Sequence, residues 1–274
     1  MKGIADYRFD AELGAGNHGR FYRAPAPARL GVEAQHVAVK VLERRATDSD
    51  FARVANELRI FAAVRSDHLV EVFDAGYDDG LLFYAMAYYP DGSLRRPARP
   101  LTPEAIASAV ADAARGADAL HEVGVVHRDI KPANVLLGGE RGRLSDLGLA
   151  RSFAPGMTTT GIGPVGSLEF MEPEVVWGDP GCRASDVWSL GVTLHGALTG
   201  QGLYGEIPDD NVLDAFTHVV HSRPEISATL PPDLRPIVVR CLADDRAERY
   251  ATAAELAEAI DAALRPEALE DEDE

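Results

Sequence analysis

Four short stretches of this 274-residue sequence carry side chains able to do chemistry. His127-Arg128-Asp129-Ile130-Lys131-Pro132-Ala133-Asn134 packs an acid, a base and an amide together, and Pro132 excludes a helical interior, so the stretch must be a loop. Further on, Ser145-Asp146-Leu147-Gly148 offers a second carboxylate with a glycine behind it. Asp and Asn oxygens joined by a second Asp suit a hard, oxygen-seeking divalent ion such as Mg²⁺, which also uses phosphate oxygens as ligands. Taken singly, each piece is equally compatible with a surface turn.

The other two stretches lie nearer the N-terminus. Leu13-Gly14-Ala15-Gly16-Asn17-His18-Gly19 falls where one strand turns into the next, and its glycines would let the backbone approach phosphates closely. Alone it is no more than a glycine-rich hairpin, since the helix that a dinucleotide fold requires does not follow. Val37-Ala38-Val39-Lys40 sets a lysine in an apolar strand, where an unpaired ammonium is costly to bury. It needs an anion, and Glu57 on the following helix is a candidate; the alternative is an edge lysine facing water.

The elements that must hold these groups follow from hydrophobic period. From Tyr7 to about Ala24, then through His36–Leu42, Leu69–Tyr77 and Leu81–Tyr89, short runs rich in Val, Phe, Tyr and Leu predict five antiparallel strands. One helical pattern interrupts them, with Phe51, Val54, Leu58 and Phe61 behind Ser49 and Asp50. After the turn signal Pro90-Asp91-Gly92 the chain reads as mainly helical. Thr102-Pro103-Glu104 starts a helix that Gly124 stops, Ser185 is expected to cap another that ends at Gly200, and Thr252 to Glu255 form a capping box for the last. A small sheet lobe, a hinge and a larger helical lobe leave a cleft between them, where ligands usually bind.

Composition narrows the partners. Asp plus Glu at 44 against Lys plus Arg at 27 gives a formal charge of −17, which argues against binding by counterion release from nucleic acid and against an anionic membrane surface. Six of the eight residues from Glu267 to Glu274 are acidic and read as a solvated, disordered tail. Cys182 and Cys241 are too few and too far apart for a disulfide framework, so a reduced, cytoplasmic chain is expected. Neither a signal nor a transit peptide is expected at the N-terminus. The uncharged stretch Val187–Gly205 contains five glycines and His195, and reads as a buried helix with a loop after it. His218 and His221, at helical spacing without an acidic or Cys partner, read as a solvated helix face.

The order of the motifs matters more than any one of them. Over about Tyr7 to Leu264 the chain resembles the eukaryotic-like, Hanks-type bacterial serine/threonine protein kinases: the glycine loop, Val37 to Lys40, His127 to Asn134, Asp146-Leu147-Gly148 and Glu172-Pro173-Glu174 occur in that family's sequence. Asp186, opening a Val-Trp-Ser-Leu-Gly helix, and Arg249 match positions that brace the catalytic loop and pair with Glu174. The resemblance implies an α+β, bilobal protein-kinase-like fold, with an ATP-binding lobe over 1–87, a catalytic and substrate-binding lobe over 88–265 and an acidic tail over 266–274.

It also implies roles. Gly14, Gly16 and Gly19 would cover the phosphates of ATP, Lys40 would hold them, Glu57 would orient Lys40, and Asn134 and Asp146 would bind Mg²⁺. Asp129 would accept the substrate hydroxyl proton and Lys131 would steady the transferring phosphoryl group. Ser167 stands where the family usually has Thr, its hydroxyl within reach of Asp129 and Lys131. Met86 would be the gatekeeper, the Ala87 carbonyl and Tyr89 amide would meet the adenine edge, and Ala38 and Leu136 would sandwich the base. Three departures are visible: Phe21 for a small branched residue, giving a bulkier adenine roof; Leu147 for Phe; and Glu172 for Ala, which with Phe170 would bear on substrate docking.

The expected function is phosphoryl transfer from ATP, with Mg²⁺, to Ser or Thr of protein substrates, a second copy of the chain among them. The alternative is a pseudokinase scaffold, which would usually lack Lys40, Asp129 or Asp146; a small-molecule kinase is disfavoured by Glu172-Pro173-Glu174 and the long loop before it. Arg128, expected to be buried beside the catalytic loop, calls for an anion, and phosphorylation within Thr158-Thr159-Thr160 would supply one and order that loop.

Overall fold

The computed structural model describes residues 1–16, 19–45, 56, 58–139, 141–146, 165–208 and 211–265. A hairpin of β1 (Gly3–Ile4) and β2 (Tyr7–Arg8) precedes a five-stranded antiparallel sheet of β3 (Ala11–Gly16), β4 (Gly19–Pro25), β5 (His36–Arg45), β6 (Val72–Asp78) and β7 (Leu81–Ala87). The strand order is β3-β4-β5-β7-β6, so β5, with Lys40, is central. Helix α1 is described over 58–63. The five-stranded sheet matches the sequence-based expectation, whereas Tyr7 belongs to the separate hairpin.

Alternation along β5 and β7 splits the apolar side chains between two faces. Val37, Val39, Val41, Phe83 and Ala85 face the hairpin, with Tyr7 and Tyr22, in one cluster. Ala38, Leu42, Tyr84 and Met86 face the other way, into the main core with Leu58 and Phe61 of α1. Lys40 shares the second face by the same period of two. Gly19 is required by proximity, because a Cβ there would lie 2.1 Å from the carbonyl oxygen of Val41 on β5.

The second lobe contains more strand than its sequence suggests. Strands β8 (Gly92–Ser93), β9 (Arg96–Pro97), β10 (Val135–Gly138) and β11 (Arg141–Leu144) form a small sheet in the order β11-β10-β8-β9. Strands of two and four residues are too short to show a clear period, which is why the expectation of a mainly helical lobe passes over them. Helix α2 (Pro103–Glu122) is capped by Thr102, whose hydroxyl accepts from the Ala105 amide, and Gly124 follows its end in the left-handed region. Its alanine-rich face lies close against the β10–β11 hairpin: a Cβ on Gly142 would sit 2.2 Å from the Ala109 carbonyl oxygen.

The remaining helices are α3 (Val165–Leu168), α4 (Pro173–Val176), α5 (Arg183–Thr199), α6 (Val212–His221), α7 (Arg235–Cys241) and α8 (Ala253–Leu264). Helix α5 carries most of the Val187–Gly205 stretch; among the described residues no helix is long and apolar enough to cross a membrane. One cap differs from expectation. Cys182, not Ser185, is the N-cap of α5; Ser185 stands at the third helical position and its hydroxyl accepts from the Cys182 amide, the reciprocal half of a capping box. Thr252 caps α8 by accepting from the Glu255 amide, and Glu255 in turn accepts from Ala251.

Candidate active site

Across three neighbouring strands, register places Phe21, Lys40 and Tyr84 side by side on the inner face of the sheet. Lys40 is 4% exposed, and its Nζ lies 2.6 Å from Oδ1 of Asp146, which follows β11. The Tyr84 hydroxyl donates to the same oxygen. Burial opposes ionisation of Asp146, but the charge and hydrogen bond of Lys40 and the bond from Tyr84 outweigh it and hold the carboxyl below its usual range. Burial and the same carboxylate push the Tyr84 hydroxyl well above the ordinary tyrosine value.

Asp146 is set in place by backbone pairing between the lobes. The Leu144 amide donates to the His68 carbonyl at 2.8 Å, and the Val70 amide donates to the Leu144 carbonyl at 3.0 Å. Asp146 itself has φ 62°, a left-handed conformation that a non-glycine residue keeps only where its surroundings hold it.

The loop before β10 holds the second carboxylate. Lys131 Nζ donates to both Asp129 oxygens at 2.9 and 2.8 Å and to Ser167 Oγ at 2.9 Å, while Ser167 Oγ lies 3.1 Å from Asp129 Oδ1. Asn134 Nδ2 donates to the Asp129 carbonyl and to its Oδ2, at 2.7 and 3.0 Å. The loop is anchored from below by Asp186 at the start of α5, whose oxygens accept the His127 and Arg128 amides at 2.8 Å each. His127 Nε2 lies 3.0 Å from the Ser145 carbonyl, and the Ser145 amide donates to the Asn134 carbonyl at 2.8 Å. The two carboxylate-bearing segments are thereby tied to each other. Burial lowers the His127 pKa from its ordinary value of 6.5, so this ring is neutral at pH 7 and serves as a strut.

Several expected residues are found together, others not. Ala38 and Met86 are buried on the inner face, and Leu136 on β10 packs against the same core. Ala87 ends β7, and the Tyr89 ring passes 3.4 Å from where a Cβ on Gly138 would stand. The Phe21 ring centroid is 4.9 Å from Lys40 Nζ, so its measured neighbour is the ammonium. Glu57 lies outside the described residues, as do Asn17, His18, Leu147, Thr158, Thr159 and Thr160; the described partners of Lys40 are Asp146 and the two rings.

Two expectations need correction. Arg128 is exposed, so burial does not create its need for an anion; its backbone turns at φ 67° and carries the side chain outward. Glu172 is wholly buried instead of lining a docking surface. It accepts from Arg246 Nε at 3.1 Å, from Arg249 and from Ser185, and Arg249 reaches Glu174 at 2.9 Å as well. Burial would raise the Glu172 pKa, yet these donors hold it below the carboxylate range.

Residues 7–260 match the protein kinase domain family. The chain belongs to that family. This kinase chain is 33% identical over 274 residues to serine/threonine-protein kinase PknJ of Mycobacterium tuberculosis, covering 95% of this chain and 46% of that protein. It is 35% identical over 260 residues to serine/threonine-protein kinase PkaA of Streptomyces coelicolor, covering 88% of this chain and 47% of that one. The chain thus spans about half the length of these curated relatives. A solved variant of the Mycobacterium tuberculosis PknI kinase domain superimposes with a TM-score of 0.71 at 26% identity, covering 97% of this chain and 99% of that one. The bilobal protein kinase fold expected from the motifs is the fold of this chain. Protein kinases use ATP with a divalent metal and act on protein substrates.

Sequence reasoning misses Tyr84 in this kinase site. Within Leu-Leu-Phe-Tyr-Ala-Met a tyrosine reads as one more core aromatic, and only the β5–β7 register shows that it lies beside Lys40.

Proposed function

We propose that the chain is a protein kinase domain that transfers the γ-phosphate of ATP to Ser or Thr hydroxyls of protein substrates. One observation carries this reading: Asp129, the expected base, is held by Lys131, Ser167 and Asn134 together, on a loop tied to the segment that bears Asp146. A pseudokinase scaffold would not need this arrangement.

Residues 1–87 then form the nucleotide lobe and 88–265 the catalytic and substrate lobe. Gly14, Gly16 and Gly19 cover the phosphates, and Ala38, Met86, Ala87, Tyr89 and Leu136 surround the adenine, with Phe21 extending from its roof toward Lys40. Lys40, freed from Asp146, turns to the phosphate oxygens, the anions its burial calls for. Glu57 orients it.

The donor set fits a magnesium ion. Asp146 supplies a carboxylate, and Asn134 directs its amide nitrogen to Asp129, leaving its carbonyl oxygen as the hard donor. Among the described residues no cluster of three or more His, Cys, Asp and Glu side chains occurs, in keeping with an ion bound by few protein groups plus phosphates. When bound, Mg²⁺ neutralises phosphate charge. Asp129 orients the substrate hydroxyl and takes its proton as the new O–P bond forms and the bond to the β-phosphate oxygen breaks, releasing ADP. Lys131, fixed by Ser167, stabilises the charge on the transferring group.

The test is intact-mass measurement after incubation with ATP and Mg²⁺, alone and with a basic protein such as myelin basic protein. Added phosphate on Ser or Thr supports the proposal. No phosphate on either protein, from a chain that binds nucleotide, supports the scaffold.

A further inference from the structure

Asp146 has two protein donors among the described residues, and they differ in what they can do next. Lys40 stands at the end of a flexible four-carbon stem and, in the function proposed above, leaves the carboxylate for the phosphates. Tyr84 cannot leave. Its ring is 2% exposed on β7 and lines a small cavity with Leu58, Phe61, Val70, Val72, Met86 and Asp146, so among the described residues Asp146 is the polar partner this lining offers its hydroxyl. A buried hydroxyl without a partner is costly, so the bond to Asp146 is held from both ends. The strained φ of 62° at Asp146 adds to the need for an anchor.

We infer that Tyr84 is a positioning residue for Asp146: its hydroxyl fixes one carboxylate oxygen so that the other stays turned to the cleft for the divalent cation, and so sets how much cation the nucleotide complex requires. This rests on the reading of Asp146 as a metal ligand. The residue acts through Asp146 and touches neither nucleotide nor substrate. Phe21, Lys40 and Tyr84 form one cross-strand row, and within it Tyr84 is the residue whose hydroxyl donates to Asp146.

The experiment uses the whole chain and a fluorescent N-methylanthraniloyl ADP, titrated with Mg²⁺ at fixed nucleotide and repeated in EDTA. Tyr84→Phe keeps the ring and removes the hydroxyl. The half-saturating Mg²⁺ concentration should rise three- to tenfold, with binding in EDTA unchanged. In an Asp146→Asn background the same substitution should add nothing. An unchanged Mg²⁺ requirement in Tyr84→Phe overturns the inference, as does an equal loss in EDTA, which would mark ring packing as the cause. A further loss on top of Asp146→Asn overturns it too. Should Tyr84→Phe unfold, Tyr84→Leu removes the hydroxyl by a second route and is held to the same outcomes. If Asp146→Asn leaves the Mg²⁺ dependence of the otherwise native chain untouched, the metal-ligand reading fails and the inference with it. A shift in Tyr84→Phe alone tests the tyrosine.

Discussion

Arg249 and Glu172 meet as an ion pair with neither side chain exposed to solvent. The pair is not isolated: Arg246 and Ser185 also bond Glu172, Arg249 continues to Glu174, and the Arg249 guanidinium lies 4.9 Å from the Trp188 ring centroid. A buried carboxylate with this many donors is compensated, but removing one partner strands the others. The cluster joins the segment after Ser167 to α5 and to the turn before Tyr250.

Glu172→Ala should therefore destabilise the chain by about 3 kcal/mol, the scale for breaking a buried pair, even though Ala is the family's common residue there. Glu172→Gln should cost less at pH 7, and its effect should depend on pH. The folded pKa of Glu172 is depressed, so its contribution is full above the ordinary value of 4.5 and is lost as pH falls through the folded value. The stability gap between wild type and Glu172→Gln, measured by urea denaturation, should stay constant above about pH 5 and narrow as pH falls below 4.5. A gap that widens on acidification would contradict this sign.

The two central carboxylates should separate cleanly by variant. Asp129→Asn keeps a side chain of the same shape beside Lys131 and Asn134 but loses the proton acceptor, so transfer should fall on the order of a hundredfold or more while nucleotide binding persists. Asp146→Asn should weaken Mg²⁺-dependent nucleotide binding as well. Single-turnover kinetics and nucleotide titration on the same preparations distinguish the two, and wild-type transfer by Asp129→Asn would remove it from the chemistry.

Ser167 bridges Lys131 and Asp129, the two groups proposed to act at the substrate hydroxyl. Its Oγ accepts from Lys131 at 2.9 Å and lies 3.1 Å from Asp129, so Ser167→Ala should release the lysine and lower kcat roughly tenfold, about one hydrogen bond to a charged group. Ser167→Thr keeps the hydroxyl and should restore the rate. Equal kcat in the Ala variant, with only KM changed, would place Ser167 in docking instead.

How far the site is legible in the sequence depends on how local its determinants are. Lys40, Asp129, Asn134 and Asp146 stand out because each sits in a motif a few residues long. Alternation in Val37-Ala38-Val39-Lys40 puts Lys40 on the face of Ala38, and only the structure shows that this face is the one turned to the main core. Tyr84 does not stand out, and Glu172 stands out with the wrong role, because both roles are created by distant partners: Asp146 is 62 residues from Tyr84, and Arg246 and Arg249 are 74 and 77 from Glu172. The same holds for Leu69 and Leu144, whose single parallel bridge ties the lobes without any periodic signal. Arg128 fails for another reason. Its charge was grounds to expect burial beside an anion, whereas the left-handed turn of its own backbone sends it to solvent.

That exposure changes the case for loop phosphorylation without removing it. Arg128, the residue before Asp129, is exposed, with no ion-pair partner among the described residues, and its amide is fixed to Asp186 at 2.8 Å. An exposed, unpaired charge on a fixed backbone attracts an anion at little desolvation cost, so it is the better receiver for a phosphate that must come and go. Thr158, Thr159 and Thr160 lie outside the described residues, on the stretch of chain between Asp146 and Ser167. A phosphothreonine there carries about −1.5 to −2 charges and three acceptor oxygens, enough for one to three charge-assisted bonds to Arg128 and to Arg151, which precedes the threonines in sequence and also lies outside the described residues. Bonds from that run to Arg128 would then bear on Ser167 and, through it, on Lys131 and Asp129. Replacing the three threonines by Ala together should lower phosphorylation of an added protein at least tenfold while leaving Mg²⁺-dependent nucleotide binding intact, and phosphopeptide mapping of the wild type should find phosphate in this run. Arg128→Ala should reproduce the loss in the phosphorylated chain and have little further effect once the threonines are gone. Full activity of the triple variant, with no phosphate mapped to the run, would sink the switch and leave the catalytic assignment standing.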